Sequence, residues 1–213
     1  MLRRLTFVIA ALNLLGCGMP VETNVQGISM IPDDISPKTV YIIPFSKADA
    51  NSLGWQKNRQ ILADVLAKKG FETVGKKGQA SLVAYMGAAV DGGEKVTSVY
   101  SIPQYGVTGY SGASTYGSTF GNTYSSTTTL NPTYGVTGYS TGSRTDTVFT
   151  RVARVDMIDR RTGKMMFEGQ ATSTGWCHAF EPIAPYIFAS LLQEFPKGKT
   201  GKVRLELEDG FEC

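Results

Sequence analysis

The sequence predicts an α+β fold: a two-layer sandwich of two helices on a mixed or antiparallel sheet, with a Tyr/Gly/Ser/Thr-rich insert. Three observations lead there. Two segments carry apolar stripes at helical spacing. Five or more segments are rich in β-branched and aromatic residues and are bounded by Gly or Pro. Two of these strands flank Arg160, Arg161, Thr162 and Gly163, which read as a hairpin turn.

Taken in order, residues 39–45 (Thr-Val-Tyr-Ile-Ile-Pro-Phe) have strand composition, and Pro44 places their end at an edge or bulge. Residues 53–69 predict a helix. Ile61, Leu62, Val65 and Leu66 share a face, Lys68 and Lys69 complement the dipole in the last turn, and Gly70 suits the position after the cap. Residues 71–74 predict a short strand, and residues 80–90 a mostly apolar one covered on both faces. Residues 147–159 and 164–174 form the hairpin. Residues 181–195 predict the second helix, with Ile183, Ile187, Phe188, Leu191, Leu192 and Phe195 as its stripe and Pro196 as its stop. The alternation in residues 202–208 predicts a half-exposed last strand.

The insert, residues 96–143, contains no charged side chain and holds seven of the ten tyrosines. It carries a direct repeat. Pro103-Gln-Tyr-Gly-Val-Thr-Gly-Tyr-Ser-Gly returns as Pro132-Thr-Tyr-Gly-Val-Thr-Gly-Tyr-Ser-Thr-Gly. Three readings are open: a flexible low-complexity loop, a long hairpin arm stabilised by cross-strand tyrosines, and a membrane-inserted hairpin. The last lacks a continuous apolar row. Tyr105, Tyr110, Tyr116, Tyr124, Tyr134 and Tyr139 are the candidate interaction residues, because tyrosine offers contact area at low entropic cost.

The N-terminus is an address. Arg3 and Arg4 precede a short apolar run, the pattern of a secretory signal and too short to span a bilayer. Leu14-Leu15-Gly16-Cys17 resembles the lipobox of bacterial lipoproteins. That resemblance implies cleavage after residue 16 and a diacylglyceryl group and an N-acyl chain on Cys17. Gly18, where an aspartate would retain a lipoprotein in the inner membrane, implies export to the outer membrane. The expected organisation is a signal peptide over 1–16, a coil-like lipidated tether over 17–37 and one domain over 38–213. Removing Arg3 and Arg4 takes Lys+Arg from 21 to 19 against 18 Asp+Glu, so the mature chain is near neutral and lacks the basic surface of a nucleic-acid binder. With Cys17 lipidated, Cys177 and Cys213 remain in an oxidising compartment, and a disulfide between them is expected, the alternatives being two free thiols or an intermolecular bond through Cys213.

Catalytic patterns are missing. The single histidine, His178, has no metal-ligand spacing around it, and the Gly-rich run matches no phosphate loop. Asp33 and Asp34, and the acidic Glu206, Glu208 and Asp209, read as solvated surface rather than a calcium site. Asp156 and Asp159 fall on opposite faces of one strand. No metal and no cofactor beyond the covalent lipid are expected.

Three stretches resemble a family of bacterial lipoproteins catalogued as domain of unknown function 4136. They are residues 61–74 with 79–85, residues 155–171, and the segment ending in Glu194-Phe195-Pro196. The resemblance implies an envelope lipoprotein and specifies no site residues. The expected function is a non-catalytic outer-membrane lipoprotein, lipid-anchored, whose periplasmic domain binds another envelope component, cell-wall polymer or itself through the insert. The alternatives are an envelope enzyme of unknown reaction and a structural subunit of an oligomeric assembly.

Overall fold

The protein is described by a computed structural model over residues 20–46, 50–208 and 210–213. The signal segment 1–16, Cys17 and Asp209 lie outside the described residues. The chain divides into two compact units, residues 95–147 and the remainder.

The larger unit is a mixed sheet with two helices. Its strands are β1 (Pro20–Ser29), β2 (Thr39–Pro44), β3 (Glu72–Thr73), β4 (Leu82–Val90), the last part of β6 (Thr123–Asp159), β7 (Met165–Gly175) and β8 (Thr200–Glu206), in the order β3-β2-β4-β6-β7-β1-β8. β2 runs parallel to β3 and β4, and every other pairing in this path is antiparallel. β5 (Glu94–Phe120) pairs with β6 alone.

Helix α1 (Leu53–Lys68) starts where Ser52 Oγ accepts from the Trp55 amide at 3.4 Å and ends at Gly70, whose φ of 81° releases the chain toward β3. It buries Leu62, Val65 and Leu66, as its spacing predicts. Helix α2 is shorter than predicted, Ala184–Leu191. Pro182 and Pro185 donate no amide hydrogen, so the chain enters through turns. Pro196 disfavours helical geometry at Phe195, so it leaves through turns. The predicted stripe is buried all the same, with Ile183, Ile187, Phe188, Leu191, Leu192 and Phe195 in the core.

The tether prediction is corrected. Residues 20–29 form β1, a strand held between β7 and β8. Val21, Thr23, Val25 and Gly27 face the core, and Glu22, Asn24, Gln26 and Ile28 face out. The alternation is muted in sequence because two of the inward positions are Thr and Gly. Gly27 is required there: a Cβ would meet the Lys199 carbonyl oxygen at 3.0 Å. β4 is buried on both faces only as far as Ala84, and Ala88 and Ala89 near its end are exposed.

The hairpin turn after β6 is tied by Asp159. Its Oδ1 accepts from the amides of Arg161 and Thr162, at 3.0 and 2.7 Å, and from the Thr162 hydroxyl. These bonds, the Thr162 amide first, hold the carboxyl below the ordinary Asp range. Gly163, with φ of 70°, completes the turn.

The core lies between the helices and one sheet face. Phe167 is fully buried on β7, edge-on to Phe195 at 5.5 Å between centroids. Phe167→Ala should cost about 3–5 kcal/mol. That should appear in urea unfolding as a lower midpoint at unchanged slope, and a loss below about 1 kcal/mol would contradict this packing.

Candidate functional site

The unit of residues 95–147 is a two-stranded ribbon made of β5 and the first part of β6. Of the three readings of the insert, the structure adopts the hairpin, but among the described residues no aromatic pair falls within residues 96–143, so the expected cross-strand tyrosine pairs do not form. Gly121, with φ of 61°, and Asn122 make the turn, placing glycine where a two-residue II′ hairpin turn needs it. Cross-strand hydroxyl and amide contacts tie the strands: Thr97 to Thr145 at 2.8 Å, Gln104 Nε2 to Ser140 Oγ at 2.8 Å, and Thr115 to Thr128 at 2.9 Å.

The sequence repeat becomes a local two-fold relation. Thr108 Oγ1 donates to the Thr133 carbonyl at 3.3 Å, and the equivalent Thr137 Oγ1 donates to the Gln104 carbonyl at 3.2 Å. A Cβ on Gly106 would meet Thr137 Cγ2 at 3.1 Å, and one on Gly135 would meet Thr108 Cγ2 at the same distance. Each copy is thus paired with the other, glycine against threonine, in both directions.

The six candidate tyrosines are not gathered into a pocket. All stand on the ribbon with 61–77% of their surface exposed. Val107, Val136, Leu130 and Phe120 are exposed beside them and were not singled out in the sequence. With no charge between residues 96 and 143, the ribbon offers hydroxyl-tipped aromatic and aliphatic surface without an electrostatic preference.

In the larger unit, Cys177 and Cys213 are joined by a disulfide with Cα atoms 5.5 Å apart. His178 is exposed, its ring 6.1 Å from that of Phe149. Among the described residues no group of three or more His, Cys, Asp or Glu side chains is placed to hold a metal ion. Asp156 is buried and paired with Arg154 at 2.8 Å, and Arg154 also reaches Glu168 at 3.1 Å. The hydrogen bond from Arg154 to Asp156 raises the arginine's proton affinity further.

Thr23, Asn58, Arg151 and Ser190 are buried polar residues with a side-chain atom that has no hydrogen-bond partner. Asn58 lines a cleft of about 290 Å³ with Trp55, Gly87 and Glu181, its Oδ1 unbonded. Arg151 is only 3% exposed. Its phase on β6 shows in the sequence, since it stands two, four and six residues before the inward Ala153, Val155 and Met157.

Residues 31–197 match the family described as Domain of unknown function (DUF4136). The chain belongs to that family. No curated protein matches it. Among solved structures, it is similar to a PDZ domain protein from Parabacteroides distasonis ATCC 8503, with 10% identity, a TM-score of 0.45 and coverage of 88% of this chain. The match spans 39% of that protein's chain. It is also similar to the PelC dodecamer from Paraburkholderia phytofirmans, with 15% identity, a TM-score of 0.40 and coverage of 83% of this chain and 99% of that one.

Cys213→Ser should remove the constraint that the disulfide places on the unfolded chain. With a sequence separation of 36, the expected loss is about 3–4 kcal/mol. Non-reducing thermal unfolding of the variant should match that of the reduced parent.

Proposed function

We propose that this DUF4136 protein is a non-catalytic outer-membrane lipoprotein, anchored through acyl chains on Cys17, whose ribbon binds another component of the envelope. Its larger unit is read as a two-layer α+β sandwich that carries the ribbon. The observation behind this reading is the ribbon itself. It is two strands wide, uncharged over residues 96–143, and exposed on both faces along its whole length. A two-stranded hairpin is marginally stable alone in water, and a row of exposed aromatic side chains is surface suited to a partner. The lipobox-like Leu14-Leu15-Gly16-Cys17 and the Cys177–Cys213 disulfide support an exported protein in an oxidising compartment.

A second reading, self-association, is favoured by the local two-fold. Each strand offers the same sequence at the same depth, so an edge that accepts one copy accepts the other. Isologous pairing needs self-complementary surface of this kind.

Deleting residues 96–143 should leave a folded lipoprotein, because among the described residues the buried hydrophobic side chains of the core lie outside that segment. The deletion variant should lose its partner, or its own second copy, in a crosslinking pulldown. An unchanged set of crosslinked proteins would refute the role of the ribbon. Cys17→Ser should remove the acyl mass from the N-terminal peptide and shift the protein from the membrane to the soluble fraction.

A further inference from the structure

The sheet end at which β1 begins carries a row of polar side chains on its core side. Arg151 on β6 pairs with Ser173 on β7, which pairs with Thr23 on β1. All three are buried. Arg151 Nη2 donates one long bond, 3.5 Å, to Ser173 Oγ, which in turn donates to the Glu22 carbonyl at 2.8 Å. Arg151 Nε and Thr23 Oγ1 have no partner. No carboxylate among the described residues lies at ion-pair distance from Arg151.

Among the described residues the buried guanidinium has no counter-ion, which is unfavourable, and burial pulls Arg151 below the ordinary arginine range. The guanidinium packs directly on Gly175, where a Cβ would sit 2.6 Å from Arg151 Nη2. The guanidinium lines a cavity of about 100 Å³ whose other walls include Pro20, Trp176, Leu207 and Phe211. That volume exceeds the roughly 30 Å³ share of one water, and the planar fork of arginine matches the oxygens of a phosphate group.

Pro20 lies three residues after Cys17. Even fully extended, three residues span only about 10–11 Å. An acylated Cys17 would therefore hold this cavity within reach of the headgroup layer. Trp176, half exposed at its mouth, is a side chain suited to that interface.

We propose that the Arg151 cavity is an anion site that takes the phosphate group of a membrane phospholipid headgroup, held by the guanidinium between apolar walls. The choice of headgroup rests on the lipid-anchor reading of Cys17; the phosphate chemistry does not.

The test uses the lipoprotein purified in a neutral maltoside detergent, titrated calorimetrically with dihexanoyl-phosphatidylglycerol and, separately, with inorganic phosphate. Saturable binding of the short-chain lipid, weakened at least tenfold by Arg151→Met, is expected. Without ligand, Arg151→Met should melt no lower than the parent, because an apolar side chain replaces an unpaired buried charge. Lipid binding clearly tighter than phosphate binding supports the headgroup. Equal binding of the two supports the phosphate site and overturns the headgroup as its source. Absence of saturable binding by the parent overturns the site whatever the variant does. So does a variant that melts lower yet binds as the parent does, since Arg151 would then be structural. The titration needs no bilayer and is independent of the mass of the N-terminal peptide, so failure of this site and failure of the anchor reading are told apart.

Discussion

Phe195 holds the larger unit together. Its ring meets Phe71 edge-on at 4.9 Å and Phe167 edge-on at 5.5 Å. Phe71 follows α1, Phe167 belongs to β7, and Phe195 lies beyond α2. One side chain thus fixes the distance between the end of the first helix, the middle of the sheet and the exit from the second helix. The helical stripes of Leu62 and Leu66, and of Ile187, Phe188 and Leu191, can bury against one sheet face only while that junction stands. Pro196 ends the helical geometry just before this junction, and Phe195 keeps the inward phase of the stripe through the turns that follow α2.

Much of this was legible where local chemistry and tertiary demand agree. Ser52 and Gly70 bracket α1, and Asp159 and Gly163 close the β6–β7 turn with bonds that a four-residue window contains. Legibility failed where the inward face is not apolar. β1 hides in a polar stretch because Thr23 and Gly27 occupy core-facing positions. Gly27 is there for the close approach of the Lys199 backbone, a long-range cause that no local pattern carries. The length of α2 was misjudged because its apolar stripe continues beyond the helix, through turns that keep the same side chains buried. Arg151 was visible by its phase among Ala153, Val155 and Met157, but its lack of a counter-ion among the described residues is a property of three strands together.

The candidate ribbon shows the same division. Composition marks residues 96–143 as unlike the rest, and the repeat is plain, yet composition alone suits a coil as well as a strand pair. What turns repetition into structure is reciprocity. Glycine in each copy lies opposite threonine in the other, and each threonine hydroxyl reaches the carbonyl at the same place across the ribbon. Such pairing pins register in a strand pair whose Gly-rich, two-sided polar character would otherwise permit slippage.

The placement of β1 between two antiparallel neighbours has a mechanical consequence. For a pull at Pro20 directed along the strand, the rungs to β7 and β8, from Pro20 to Ser29, share the load. An edge strand pulled the same way would have rungs on one side only. Resistance to forced unfolding is governed by the unfolding rate, and a strand loaded lengthwise from both sides opens slowly. Tension applied along β1 would therefore be spread over rungs on both of its sides before it reached the rest of the fold.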